Sequence, residues 1–339
     1  MVHQIVKPEK IVATAAVILE ESLVTPAVFQ REGIDAFKGA EDDTINVVVE
    51  GVLPFRTYGW RNDRSTSIQF DEYKERKVPV TFGGDIYNGV RLTDEQNDMD
   101  LQGWAKLARK QTEAIGRGLE WEASKYLRDA PYAVELGISE SNIRGGLTRA
   151  RGVLNKLRAP GRRTILVGAG WEEALLNDEK LAFASNVGEA EAVSALREAT
   201  LGRRFNFDFV VAPELADDEA IALVESAFIF ATGAPSVPQS VPFGATASHN
   251  GVALTWLRDY ETEKRRDRSV FNTYKGFRHV TDPLLGVDDA TGQAFVSENE
   301  HFVRAIKLTL GGTDVLPDGN DSAKDDEFVK ITGIGTPKV

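Results

Sequence analysis

Residues 98–129 read DMDLQGWAKLARKQTEAIGRGLEWEASKYLRD, and their reading decides the fold. Leu101, Trp104, Ala108, Ile115, Leu119, Ala123 and Tyr126 recur at spacings near three and four, the period of a helix with one apolar stripe. At ~1.5 Å per residue this helix, roughly Asp98 to Asp129, is about 45 Å long, which is long for a compact domain. Gly116 and Gly118 lie inside it, each at a cost of up to ~1 kcal/mol, and predict a bend or a close contact with another helix. Pro131 ends it.

Upstream, Pro8 to Leu23 predicts a short amphipathic helix with Pro8 in its first turn. Thr25 to Asp43 reads as an arm with weak structure. Thr44 to Leu53 is rich in β-branched residues (Ile45, Val47, Val48, Val49, Val52) and reads as a strand. Its expected partner is Ser67 to Phe82, where Ile68, Phe70, Val78, Val80 and Phe82 alternate. A polar tip, Tyr58-Gly59-Trp60-Arg61-Asn62-Asp63-Arg64, joins the two into a long hairpin. A two-stranded ribbon of this length is not stable alone in water. It nevertheless carries Phe55, Tyr58, Trp60 and Phe70 with Arg56, Arg61 and Arg64, the residue types enriched at interface centres. A partner surface is the expected reason, most of all for Trp60.

Downstream, Ser139 to Leu157 is expected to be helical, with Ser139 as N-cap. Arg163 to Gly168 reads as a buried strand, Trp171 to Leu176 and Glu189 to Glu198 as short helices, and Phe205 to Ala212 and Ala227 to Ala231 as strands. This alternation predicts an α/β domain. Ser226 to Leu257 carries no charge, yet Pro235, Pro238 and Pro242 break any membrane helix there, so strand, loop and strand are expected. Val252 to Asp259 and Val270 to Val280 form a second hairpin around Lys264-Arg265-Arg266-Asp267-Arg268. With acids interleaved, Arg265, Arg266 and Arg268 read best as an ion-pair network at a subunit contact. His301 to Leu310 is a last strand, and the acid-rich stretch from Asp314 to Glu327 is expected to be mobile or laid on the surface.

Composition narrows the chemistry. The 339 residues include no Cys, which excludes disulfides, a thiolate nucleophile and Cys-ligated metal. Four His, none at i, i+4 from another, exclude the zinc helix pattern. A net charge of −12 argues against wholesale nucleic-acid binding. No secretory h-region lies near the N-terminus. Leu166-Val167-Gly168-Ala169-Gly170-Trp171 is the most enzyme-like stretch, a strand, turn and helix that could hold a phosphate. Glu173 stands where a dinucleotide fold needs a third Gly, and the plainer reading is a strand-to-helix turn. The acidic pairs Asp42-Asp43, Asp217-Asp218 and Asp288-Asp289 lack calcium-loop spacing and read as solvated turns. Ser248-His249 lacks a nucleophile elbow.

The order of parts is similar to that of the major capsid proteins of tailed double-stranded DNA bacteriophages, whose fold is shared with encapsulins and herpesvirus capsid floors. The resemblance is carried by Val78-Pro79-Val80-Thr81-Phe82, Leu92-Thr93-Asp94-Glu95, the long helix from Trp104 to Leu127, Arg258-Asp259-Tyr260-Glu261, Arg268-Ser269-Val270-Phe271 and Tyr274-Lys275-Gly276-Phe277. It covers about Pro8 to Val280 and lies in element order, not in one motif. It implies an α+β capsid fold: an N-terminal arm over 1–43, an extended hairpin loop over 44–85 and a peripheral domain with spine helix over 86–135. An axial domain over 136–250, a peripheral hairpin over 251–280 and a C-terminal strand with acidic tail over 281–339 complete it.

The resemblance also implies a function. It implies a non-enzymatic protein that assembles with itself into pentamers and hexamers of an icosahedral shell, with maturation from a procapsid. The shell encloses DNA without sequence-specific contacts, sits in the virion, is assembled in the host cytoplasm and involves no membrane. No catalytic, cofactor or metal residue is expected. About forty residues before the hairpin loop imply a separate scaffolding protein, with a portal and decoration proteins as further partners. Lys74 and Lys77 lie in the loop where some members crosslink Lys to Asn, but no matching Asn and Glu can be placed. Two other readings stand beside this one: an encapsulin-type compartment, and a nucleotide- or methyl-donor-binding enzyme built on Gly168 and Gly170.

Overall fold

The computed structural model describes residues 7–32, 43–50, 52–58, 60, 67–68, 70–71, 73, 75–96, 104–177, 203–241, 243–288 and 292–339. Contacts divide the chain into two units, each made of three chain segments. The first comprises 1–46, 79–129 and 228–278; the second comprises 47–78, 130–227 and 279–339. The division at 228 and 278 differs from the sequence-based boundaries at 250 and 280.

In the first unit, α1 (Pro8–Ser22) starts at Pro8, whose missing N–H costs nothing there, and buries Val12, Ala15, Ala16 and Leu19 on one stripe. A short strand β1 (Gln30–Glu32) follows. The division between the units falls within β2 (Thr44–Val49), after Asn46, and within β3 (Arg76–Thr81), after Val78; β4 (Gly84–Thr93) and the long helix α2 (Trp104–Arg128) follow in the first unit. The expected start of that helix, 98–103, lies outside the described residues. Ala108, Ile115, Leu119, Ala123 and Leu127 form its buried face. Gly116 marks a close helix contact: a Cβ there would meet Ser22 Oγ of α1 at 2.6 Å. The buried Glu120 carboxylate accepts the backbone N–H groups of Val24 and Thr25, which pins the turn after α1 onto α2.

The chain returns to this unit as β10 (Phe228–Gly233), β11 (Phe243–His249), β12 (Val252–Glu261) and β13 (Arg266–His279). The sheet order is β1-β10-β13-β12-β11, with β4 also paired to β13. Phe230 and Phe277 stack at 5.1 Å, and Tyr126 stacks on Phe277 at 5.7 Å, so aromatic rings fill the space between α2 and the sheet. The uncharged stretch before Leu257 is thus strand, Pro-rich loop and strand, as its prolines dictate.

The second unit is built on a six-stranded sheet. Its strands are β5 (Glu135–Ile138), β6 (Arg163–Val167), β7 (Arg203–Arg204), β8 (Phe207–Val211), β9 (Glu219–Val224) and β16 (Ala305–Leu310), in the order β5-β16-β9-β6-β8-β7. Helices α3 (Ile143–Lys156) and α4 (Ala169–Asn177) belong to it. A hairpin of β14 (Asp282–Val287) and β15 (Ala294–His301) and a last helix α5 (Ala323–Thr332) complete it.

Several expectations are corrected here. Ser139 is not the cap of α3: Asn142 Oδ1 accepts the Gly145 N–H at 3.2 Å, and the helix begins at Ile143. The expected strand from His301 to Leu310 is two strands, because Phe302–Arg304 break the ladder between β15 and β16. The acidic stretch ends in α5, with Ser322 as cap and Phe328 and Val329 buried. Among the described residues the expected hairpin is paired at its root, in β2 and β3, and Val52–Leu53 and Ser67–Ile68 lie in no strand. The helix expected at Glu189 to Glu198 and the arm over 33–42 lie outside the described residues. Among the described residues no helix is long and apolar enough to cross a membrane.

Candidate assembly interface

Within the second unit, the ribbon between β2 and β3 is fixed at its base and open beyond it. Arg76 at the start of β3 donates to the Thr281 carbonyl at 2.5 Å and to Asp282 Oδ1 at 3.0 Å. Asp282 also takes both arms of Arg304, at 2.5 and 2.7 Å, and all of these groups are largely buried. Loss of this carboxylate would leave buried Arg304 without a counter-charge, while Arg76 would keep Glu300 at 2.9 Å, so Asp282 is what ties the start of β3 to the chain at Arg304. Farther out, Thr57 and Gln293 exchange two hydrogen bonds, and Arg56 grips Asp71 with two. The Arg56 hydrogen bonds hold the Asp71 carboxyl below its usual range and push the guanidinium up.

The apolar side chains described on the ribbon stay largely in water. Trp60 and Phe70 are each 92% exposed, Phe55 is 51% and Tyr58 48% exposed. Ile68, which shares the alternation of Phe70, is exposed as well, and so is Tyr73, which lies off that alternation and was not singled out from sequence. Lys77 is exposed on β3. Arg61, Arg64 and Lys74 lie outside the described residues. Burying an aromatic of this size is worth roughly 2–3 kcal/mol, so a row of them in water is an unfilled contact.

The second candidate cluster behaves differently. Across the β12–β13 hairpin, Arg266 pairs with Glu261 at 2.7 Å and Arg268 with Asp259 at 2.5 Å. Arg258 pairs with Asp267 at 3.0 Å and lies 3.8 Å over the Trp104 ring. The acids expected on a neighbouring subunit are therefore supplied to Arg266 and Arg268 by the same hairpin. Arg265 is the exception. It turns the corner at φ +46°, is exposed, and makes no ion pair among the described residues.

The turn at Gly168 and Gly170 is a packing device. A Cβ on Gly168 would lie 2.0 Å from the Ala216 carbonyl oxygen, and one on Gly170 2.8 Å from that of Asp217. The Gly168 and Trp171 N–H groups donate to the Glu219 and Asp217 carbonyls, both at 3.0 Å. Two of the backbone donors of this turn are thus spent on Asp217 and on Glu219 at the start of β9. The neighbouring cleft of about 630 Å³ is lined by Glu140, Glu173, Asp217 and Asp218, which repel an anion. Among the described residues no group of His, Cys, Asp and Glu is arranged to hold a metal ion.

No protein-family model matches the chain and no curated protein matches its sequence. Solved structures do. The chain is similar to one from Mycobacterium phage Che8 at 13% identity and TM-score 0.56, over 84% of this chain and 90% of that one. It is similar to one from the capsid of cyanophage P-SCSP1u at 9% identity and TM-score 0.54, over 84% and 86%. A third, from the capsid of Ralstonia phage GP4, aligns at 11% identity and TM-score 0.52, over 85% and 90%. At such identities the likeness is one of fold. The chain has the fold of the tailed-phage major capsid proteins.

Proposed function

We propose that the chain is the shell-building subunit of an icosahedral phage capsid that encloses double-stranded DNA. The observation that carries this reading is the ribbon: aromatic side chains held in water on a root locked by Arg76, Asp282 and Arg304. An exposed row of aromatics on a fixed root is a contact waiting for another molecule, and in a closed symmetric assembly a second copy supplies it. Capsomers of five and six copies, a separate scaffolding protein, a portal and decoration proteins are the partners that go with this reading. The virion is the place of action and the host cytoplasm the place of assembly. The net charge of −12 fits a shell in which packed duplex must move.

The test is electron microscopy and light scattering of the purified protein. Rings of five or six copies, or closed shells, are expected at micromolar concentration. A monomer of 37.2 kDa that persists at all concentrations would overturn the reading. Interfaces of standard size, burying ~1,600 Å², are populated well below ~1 mM. Co-purification of a cargo enzyme in place of DNA would move it to an encapsulin-type compartment.

A further inference from the structure

Between Glu140 and Glu172 the chain carries seven Arg or Lys and no acid, inside a protein whose net charge is −12. These residues build α3, the loop after it and the start of β6. The inner face of α3 buries Ile143, Leu147, Ala150, Val153 and Leu154, so its cations are held on the outer face. Arg149 and Arg162 are neutralised, by Asp314 and Asp208. Arg144, Arg151, Lys156 and Arg158 are exposed and make no ion pair among the described residues. We propose that this face is a surface for the sugar-phosphate backbone of duplex DNA.

Three observations favour nucleic acid over an acidic protein. First, no large apolar side chain is exposed between 141 and 163, whereas protein interfaces are built around an apolar centre. Second, Arg144, Arg151 and Asn155 share one exposed stripe of α3, at spacings of seven and four residues, while the Thr148 hydroxyl between them donates to the Arg144 carbonyl at 2.9 Å. Charged donors beside a neutral polar one are the set that meets phosphate oxygens. Third, the positive potential is not cancelled locally. Buried Arg163 makes no ion pair among the described residues, and burial together with Arg151 pushes its guanidinium pKa down. Phosphate contacts carry no sequence information, and in so acidic a chain they act as a weak, salt-sensitive tether. The inference rests on the proposed function only for the identity of the polyanion.

The experiment titrates the full-length protein into a fluorescent duplex and reads anisotropy across a salt series, beside polyglutamate of matched charge. The variant is Arg144→Gln, Arg151→Gln, Lys156→Gln. A control variant, Lys106→Gln, Lys110→Gln, Arg117→Gln on α2, removes the same charge elsewhere. Both must keep the native circular dichroism and melt; if the triple variant does not, single substitutions replace it. The expected result is duplex binding at low salt that falls at least about tenfold in the α3 variant, with a shallower salt slope, because each phosphate contact contributes ~0.9 to that slope. The control should bind as the parent does. The proposal is overturned by absence of duplex binding at low salt, by equal loss in the control, or by polyglutamate binding as tightly as DNA, which would assign the face to an acidic protein. Ring or shell formation is scored separately, so failure of the assembly reading and failure of this one are distinguishable.

Discussion

Two Arg- and aromatic-bearing hairpins end differently. The β12–β13 hairpin closes its own account of charge: Arg266, Arg268 and Arg258 each face an acid on the opposite strand, and Tyr260 donates to Asp94 at 3.1 Å. The ribbon between β2 and β3 pairs its charges at Arg56 and Asp71 but leaves Trp60 and Phe70 in water. Charge clusters can be satisfied by the next strand, whereas an apolar tip needs a second surface.

The largest expected effect lies at the ribbon's root. Asp282→Ala leaves Arg76 and Arg304 without their shared carboxylate and should cost about 3–5 kcal/mol of unfolding free energy, measured by urea titration. A loss below ~1 kcal/mol would mean that the root is not locked. Next is the tip. Trp60→Ser with Phe70→Ser should leave stability within ~0.5 kcal/mol and raise the concentration needed for assembly by about thirtyfold, the equivalent of ~2 kcal/mol at a central contact. An unchanged assembly threshold would end the distinction between the two hairpins.

Smaller still is Arg268→Gln, which should lower stability only slightly because that pair is more than a third exposed and screened by solvent. Its assembly threshold should not move, and a failure to assemble with intact stability would make the second hairpin an interface as well.

The smallest effect concerns pH. His301 is buried beside Phe328, and burial pushes its imidazole pKa below the usual value. Protonation of the unfolded chain near pH 6.5 then favours unfolding, so stability should fall as pH drops from about 6.5 toward 5. Glu327, 3.8 Å away, is held below its usual range by hydrogen bonds from Asn299 and Glu298 against the opposing cost of burial. Its contribution is present above its ordinary pKa and is lost at lower pH, below the window of the histidine. Thermal melts of His301→Gln should depend less on pH below about 6.5 than those of the parent.

What could be read from sequence was what is local. Apolar spacing and Pro8 placed α1, and the same spacing with Pro131 placed the end of α2. Trp60 stood out because an aromatic in a polar tip has no local explanation. What could not be read depended on distant partners. Strand β9 was hidden because Asp217-Asp218-Glu219 reads as a solvated turn, yet its residues are buried by β6 and β16 on either side. Helix α5 was masked by its acids, although Phe328 and Val329 were its signal. The pairing of Arg268 with Asp259 required the hairpin register. Once the corner at Arg265 is known, opposite residues sum to a constant: Asp259 with Arg268, Glu261 with Arg266. Arg76 and Gln293 went unnoticed because nothing near them in sequence shows what they hold.

The interleaving of the two units has a temporal consequence. In the second unit, β16 lies between β5 and β9, yet it is the last of the sheet's strands to be synthesised. Until residue 310 leaves the ribosome, β5 and β9 have unpaired edges facing a gap. At ~5–20 residues per second, some 170 residues separate β5 from the strand that bonds to it, a delay of roughly ten to thirty seconds. A growing chain therefore carries its aromatic ribbon long before it has a closed sheet. Unpaired strand edges are templates for pairing with other chains, so neighbouring nascent chains on one messenger are exposed to one another in that interval.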